Sequence, residues 1–416
     1  MSIDARSRQE RDVVRLDRDD LFDRSLPGAV ERHGDLAARG CAYLGLPSLG
    51  LEVGGRAVTI AAARGGCALR TGTTSAGVVA VLEADALSDL LQDVASTMGL
   101  AMSSRVKITK GSINDWIRWE PVLRALYDGR KVHEAGDIDF EDADGGELDL
   151  DRTFAYGDDR QEMVHFLEQA GFLHLRRVFD EDEMAALGAD IDEWIARASP
   201  DDGQSWWATD DQGRQQAVRV LNFQEKSEVL PLLLADARLQ WLTELTGDDH
   251  VHSGNAEGLV KPLGIVRGLS DLPWHKDCGQ GKHSYMCNSM TCGISVTGAD
   301  RSSGALGVIP GSHRANTMAT GRDPSLDLQP RMLETSTGDV TVHCSDTLHR
   351  AHPPVERPRK VVYTSFPLPP LEGDQPVKSD PKGARAARAA LSDVQSRIEA
   401  ADNEASSARY RAGQRR

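Results

Sequence analysis

The run Gly304-Ala305-Leu306-Gly307-Val308-Ile309-Pro310-Gly311-Ser312-His313 reads as a short apolar strand closed by a tight turn. Leu, Val and Ile suit a pleated, half-buried surface, and Pro-Gly stops it. Outward from this run, Val260 to Phe366 keeps the same texture of brief apolar stretches punctuated by Gly, Pro, Asn and Ser. That rhythm predicts an all-β barrel or jelly roll. Upstream of the run lies Trp274-His275-Lys276-Asp277. Downstream, Gly338-Asp339 leads through Val340 and Val342 to Thr347-Leu348-His349, then to Arg357-Pro358-Arg359-Lys360-Val361-Val362-Tyr363.

The upstream piece can carry chemistry. On a strand, residues i and i+2 share a face, so His275 and Asp277 can bind one cation together. A third ligand from a facing strand would complete a two-His, one-carboxylate set, which leaves positions open on Fe(II) for oxygen chemistry. The triplet alone is unspecific: with 12 His and 64 Asp and Glu in 416 residues, about two His-x-acid triplets arise by chance. Two are present, but His33-Gly34-Asp35 sits in a polar stretch with no strand pattern.

Context separates them. His349 ends one strand and Arg359 opens the next, supplying an imidazole for a metal and a fixed fork for a distant carboxylate. His343 and His352 flank His349, and either replaces it if the register slips. His283 and His313 read as hydrogen-bonded structural residues. Cys278, Cys287 and Cys292 match no zinc spacing and read as core or pocket-wall thiols. Trp206-Trp207 reads either as a substrate shelf or as a packed surface turn.

From about residue 160 to about 368 the chain resembles the phytanoyl-CoA dioxygenase family of Fe(II)/2-oxoglutarate oxygenases. The matching pieces are Gly171-Phe172 with Val178-Phe179, Arg219-Val220-Leu221-Asn222-Phe223-Gln224-Glu225, His275-Lys276-Asp277, Gly304-Ala305-Leu306, Pro310-Gly311-Ser312-His313, Gly338-Asp339, His349 and Arg359. The resemblance implies a double-stranded β-helix with flanking helices. It also implies iron ligands His275, Asp277 and His349, with Arg359, helped by Arg219, holding 2-oxoglutarate. O2 and 2-oxoglutarate would be consumed, succinate and CO2 released, and a C–H bond hydroxylated. The retained carboxylate Asp277 points to oxygenation, since halogenating relatives replace it. Two positions depart from the family: Gly293 stands where an aromatic residue is common, and Ala351 where Ser or Thr is common.

The rest of the chain divides by texture. Residues 1–40 read as a polar lead-in, and residues 41–133 as a small α+β unit. In that unit a hairpin turns at Gly54-Gly55, and Leu87, Leu90, Leu91 and Val94 predict one helix ending before Gly99. Val106 and Ile108 form a strand, and a last helix carries Trp116 and bends or restarts at Pro121. Leu51-Glu52-Val53-Gly54-Gly55, Ala86 to Met98 and Arg105 to Gly111 resemble a sterol-carrier-protein-type lipid-binding domain. Such a unit would present a hydrophobic ligand, dimerise the chain or serve as a structural appendage.

Residues 134–159 are a linker or surface arm, with nine acids and no Lys or Arg between Glu134 and Asp151. Their spacing does not fit a calcium loop. The oxygenase-like unit spans 160–370, and 371–416 is a charged helical or disordered tail.

A formal net charge of −16 disfavours nucleic acid as a partner. Six Cys without a CxxC, no apolar h-region near Met1 and no membrane-length apolar run predict a cytoplasmic protein. The expected substrate is a hydrophobic small molecule: a lipid, terpenoid or carrier-linked acid. Rival readings are an oxygenase of the same class doing desaturation, cyclisation or epimerisation, or a non-catalytic lipid-binding or scaffolding protein with an inactive barrel.

Overall fold

The computed structural model describes residues 14–367 apart from 64, 201, 247–249, 268–271, 279–288, 322 and 324. The tail expected over 371–416 therefore lies outside the described residues, as do His283 and Cys287.

Five strands make the N-terminal sheet, in the order Gly66–Thr71, Arg56–Ala63, Leu49–Val53, Val78–Leu82 and Val106–Lys110. Leu49, Leu51 and Val53 alternate onto its buried face, as a period of two requires. There they meet Trp116 and Trp119, whose indole N–H groups donate to Thr97 O and Pro47 O. The helix Leu26–Leu44 adds Leu26, Ala29, Ala37 and Cys41 to the same core. Residues 18–40 are thus not a polar lead-in. Their apolar face is thin because Gly34 and Gly40 share it with small side chains such as Ala29 and Ala37, so the periodicity is faint in the sequence.

The helix predicted to run to Gly99 is two helices, Ala84–Leu91 and Thr97–Met102. Asp93 breaks the first by adopting φ +59° and turning its carboxylate toward Arg124, 3.3 Å away. Ser96 starts the second by accepting from Gly99 N–H through its side chain, which satisfies a donor of the first turn. Pro121 does restart a helix, Glu120–Asp128.

The acidic stretch crosses the surface of the second unit as an arm. Ile138 and Phe140 pack against Ile309, Leu326 and Leu348, Leu148 enters the main core, and Phe154–Ala155 pairs parallel with Leu175 and Arg176. These apolar residues anchor a segment whose charge pattern advertised only solvation.

The second unit is a double-stranded β-helix. In its nine-stranded sheet, Ala256–Lys261, Arg359–Phe366, Met290–Ser295 and Val340–Cys344 lie side by side, all antiparallel. The smaller sheet orders Leu272–His275, His349–Ala351, Leu306–Val308 and Arg331–Leu333. Leu306, Val308 and Leu333 share one core with Met290, Ile294, Val340 and Val362. Each such side chain contributes about 1.5–3 kcal/mol of burial. Helices Arg160–Ala170 and Glu181–Arg197 flank the barrel, the second opened by a reciprocal Asp180/Glu183 capping box. The first ends at Gly171, at φ +78°, where a Cβ would lie 2.4 Å from His313 Nδ1. Among the described residues, no helix is long and apolar enough to cross a membrane.

Candidate functional site

His275 and His349 face each other in register on neighbouring antiparallel strands. Their rings are 4.2 Å apart, centroid to centroid. The strand stops at His275, so Asp277 reaches the same face from the bend beyond it rather than as a second strand position. One ligand atom from each of His275, Asp277 and His349 lies within 4.8 Å of the others, a spacing that can hold a metal ion. Asp277 Oδ1 is 3.4 Å from His275 Nε2 and 3.5 Å from His349 Nε2, while Oδ2 accepts from Thr291 Oγ1 at 2.8 Å. His349 Nδ1 donates to Thr347 O at 2.9 Å, which leaves Nε2 as the basic nitrogen facing Asp277.

Two imidazoles and a carboxylate are borderline nitrogen and hard oxygen donors, the set that suits Fe(II). Burial alone would raise the Asp277 carboxyl, but the imidazoles around it, His349 foremost, hold it well below the usual carboxylate range. The site therefore presents a ready anion.

The sequence motifs around these residues prove to be their scaffold. Ser312 of the Pro310-Gly311-Ser312-His313 turn accepts from Leu348 N–H through Oγ, beside His349. Its carbonyl accepts from Lys276 Nζ at 3.2 Å, between His275 and Asp277. On its far edge the His275 strand is held by Gly321 N–H to Trp274 O and Lys276 N–H to Ala319 O, each 2.8 Å. His313 Nε2 pairs with Glu168 O, as a structural histidine should.

Of the two rivals to His349, His352 turns away and stacks edge-on against Trp274 at 6.3 Å. His343 does not turn away. It lines the same cavity, 4.1 Å ring to ring from His349, and burial, then His349, pull its pKa down to about 4.

The cavity has a volume of about 280 Å³, and His275, Asp277, Thr291, His343 and His349 line it together with Arg219 and Arg359. Arg359 is buried, and its Nε and Nη2 have no hydrogen-bond partner. A guanidinium in that state needs an anion from the cavity. Arg219 is also buried, but it is paired with Glu257 and lies over the Trp206 ring at 4.5 Å. Trp206 is thereby a packed support for Arg219 rather than a shelf. The sequence reading missed Lys261, buried and directly opposite Arg359 in register, with its Nζ on His352 O. Its signal was available, since a lysine directly after Leu259-Val260 on a strand is costly to bury unless used.

Gly293 does not leave a hole. A Cβ there would lie 3.0 Å from both Thr341 Oγ1 and Tyr363 Cε1, so the Tyr363 ring occupies the space on the cavity wall.

Residues 167–360 match the phytanoyl-CoA dioxygenase (PhyH) family. The matched segment contains His275, Asp277, His349, Arg219 and Arg359, and begins after the N-terminal unit. No curated protein matches the sequence. Among solved structures, AviO1 from Streptomyces viridochromogenes Tue57 is 22% identical, over 51% of this chain and 98% of that one, with a TM-score of 0.40. The epimerase SnoN in complex with Fe3+, alpha ketoglutarate and nogalamycin RO is 19% identical, over 53% and 92%, at 0.43. EctD from S. alaskensis, in its apoform, is 21% identical, over 57% and 84%, at 0.43.

The sterol-carrier resemblance finds no such support. A cavity within the N-terminal unit and another at its border with the barrel each hold about 10 Å³, room for one water and not for a lipid.

Proposed function

We propose that this chain is a non-haem Fe(II)/2-oxoglutarate-dependent dioxygenase that hydroxylates a C–H bond of a small molecule. The observation that carries the reading is one cavity with His275, Asp277 and His349 on its wall and the unpartnered Arg359 guanidinium beside them. His275, Asp277 and His349 hold the iron. Arg359, with Lys261 rather than Arg219 at its side, takes the far carboxylate of 2-oxoglutarate. Iron, 2-oxoglutarate and O2 together supply the oxidant that breaks the C–H bond. The protein's own task is to orient the three ligands, neutralise the cosubstrate's charge and exclude bulk water.

The lining also bears on the substrate. Ala256, Leu259, Leu306 and Ala351 are apolar, but Asn255, Glu257, Thr364 and Ser365 line the same cavity. That supports a substrate carrying polar groups better than the wholly hydrophobic one expected from the sequence.

Anaerobic addition of Fe(II) and then 2-oxoglutarate tests the reading. The expected result is a weak visible charge-transfer band that is absent without either component. No band, together with no oxygen-dependent succinate from any candidate substrate, overturns it.

A further inference from the structure

The cavity wall carries a second set of polar side chains, apart from the metal ligands and the Lys261–Arg359 cations. Glu257 and Tyr363 face each other in register on neighbouring strands, with Asn255 and Ser365 at the next cavity-facing position of each. Gly258 fixes the direction, because a Cβ there would meet Phe223 at 3.0 Å, so Glu257 points the other way, into the cavity. Glu257 Oε2 accepts from Arg219 Nη1, and Oε1 accepts from no described residue. Among the described residues, the side chains of Asn255, Tyr363 and Ser365 form no hydrogen bond either.

This patch borders the metal end of the cavity. Ser365 lies opposite Thr291, whose Oγ1 donates to Asp277, so one strand spacing of about 4.8 Å separates the patch from the support of a ligand. Lys261 and Arg359 lie four residues from Glu257 and Tyr363, about 13 Å along the strands.

Its charge is balanced. Arg219 is buried, and its ion pair cancels the Glu257 carboxylate, while Asn255, Tyr363 and Ser365 are neutral. An ammonium group would find no uncompensated anion here, and a carboxylate no uncompensated cation. Hydrogen bonding selects in the same direction. Glu257 and Asn255 offer acceptor oxygens, and Asn255, Tyr363 and Ser365 offer donors. An ammonium only donates and a carboxylate only accepts, but a hydroxyl group does both.

We propose that Glu257, held by Arg219, is a specificity-determining residue, and that the substrate is a neutral polyol of which a sugar is the simplest case. The inference rests on the function proposed above and names the substrate class of that same site. Hydroxyl groups of the substrate donate to Glu257 Oε1 and exchange hydrogen bonds with Asn255, Tyr363 and Ser365. A C–H bond beside them then faces the metal ligands.

The test uses the full chain with Zn(II) and 2-oxoglutarate, and saturation-transfer NMR of three matched probes. These are methyl glucoside, methyl glucosaminide with its ammonium, and methyl glucuronoside with its carboxylate. The neutral probe is expected to bind the unaltered protein about 10-fold or more tighter than either charged one. Glu257→Gln is expected to weaken the neutral probe about 5-fold or more. Arg219→Met leaves the carboxylate uncompensated, so the ammonium probe is expected to become the tightest. A charged probe that binds the unaltered protein as tightly as the neutral one overturns the inference. So does a neutral probe with no saturable binding by about 50 mM. The ranking in the unaltered protein is also read without metal or cosubstrate, so it stands even if a variant does not fold. A charge-transfer band alongside preference for a charged probe removes only the substrate class, whereas absence of the band removes the function reading.

Discussion

Asn316 Oδ1 accepts a hydrogen bond from Arg124 Nη1 at 2.8 Å, joining the segment beside the His275 strand to a buried helix of the N-terminal unit. The same amide donates to Pro121 O and Arg130 O, both at 2.9 Å, and Met318 two residues on belongs to the N-terminal core. Ala319 and Gly321 then hold the backbone on either side of His275. The N-terminal unit is therefore part of the scaffold of the site. Asn316→Ala leaves buried partners unmatched and is expected to cost about 2–4 kcal/mol of stability. Thermal unfolding measures that loss, and Co(II) titration below the transition is expected to show weakened binding. Unchanged metal affinity would separate the two units functionally.

Replacing His275, Asp277 or His349 by Ala removes one of three clustered donors. Each variant is expected to lose the 2-oxoglutarate charge-transfer band and at least 100-fold in succinate release. Far-ultraviolet circular dichroism should stay unchanged, which distinguishes a lost ligand from a lost fold.

Much of this centre was legible beforehand because its chemistry sits in short local motifs. The alternation and turn residues of Val260 to Phe366 marked the jelly roll, and His275, Asp277 and His349 do converge. What stayed hidden depends on contacts distant in sequence. Lys261 acquires meaning only from its register opposite Arg359, and the space at Gly293 is filled by Tyr363 from the neighbouring strand. In the sequence His343 reads as a register alternative to His349, because nothing local shows that a strand turns it toward Asp277. The 18–44 helices and the 134–159 arm were obscured by their charges, which say where water is and not what the few apolar residues touch.

Arg359 and Lys261 form a buried cationic pair of positions on adjacent strands. Arg359→Lys keeps the charge but loses the two-pronged donor, so the KM for 2-oxoglutarate is expected to rise roughly 10- to 100-fold with metal affinity unchanged. Lys261→Met is expected to raise the same KM by a smaller factor, about 10-fold, because a point charge is lost and a fork is kept. Arg219→Lys should leave that KM within about 2-fold, since its guanidinium is already paired with Glu257. Steady-state succinate assays across the three variants rank these effects. A larger effect at Arg219 than at Arg359 would reverse the assignment.

Asp339 is a buried carboxylate through which acid is expected to weaken the barrel. Its buried carboxylate accepts from His174 Nε2 at 2.9 Å and from the N–H groups of Arg177 and Ser336, each at 2.8 Å. Burial works to raise its pKa, but these donors, His174 first, outweigh it and hold the group below the ordinary carboxylate range. A carboxyl lowered on folding binds more protons in the unfolded chain, so its stabilisation is complete above the unfolded value of about 3.9 and is lost as pH falls through the folded one. Stability from this group is therefore expected to be level from pH 7 to about 5 and to decline below about 4. Asp339→Asn removes the charge at every pH. It is expected to cost about 2–3 kcal/mol at pH 7 and to flatten the acid limb of the profile, read by urea unfolding at successive pH values. An acid limb unchanged in the variant would assign the pH dependence to another carboxylate.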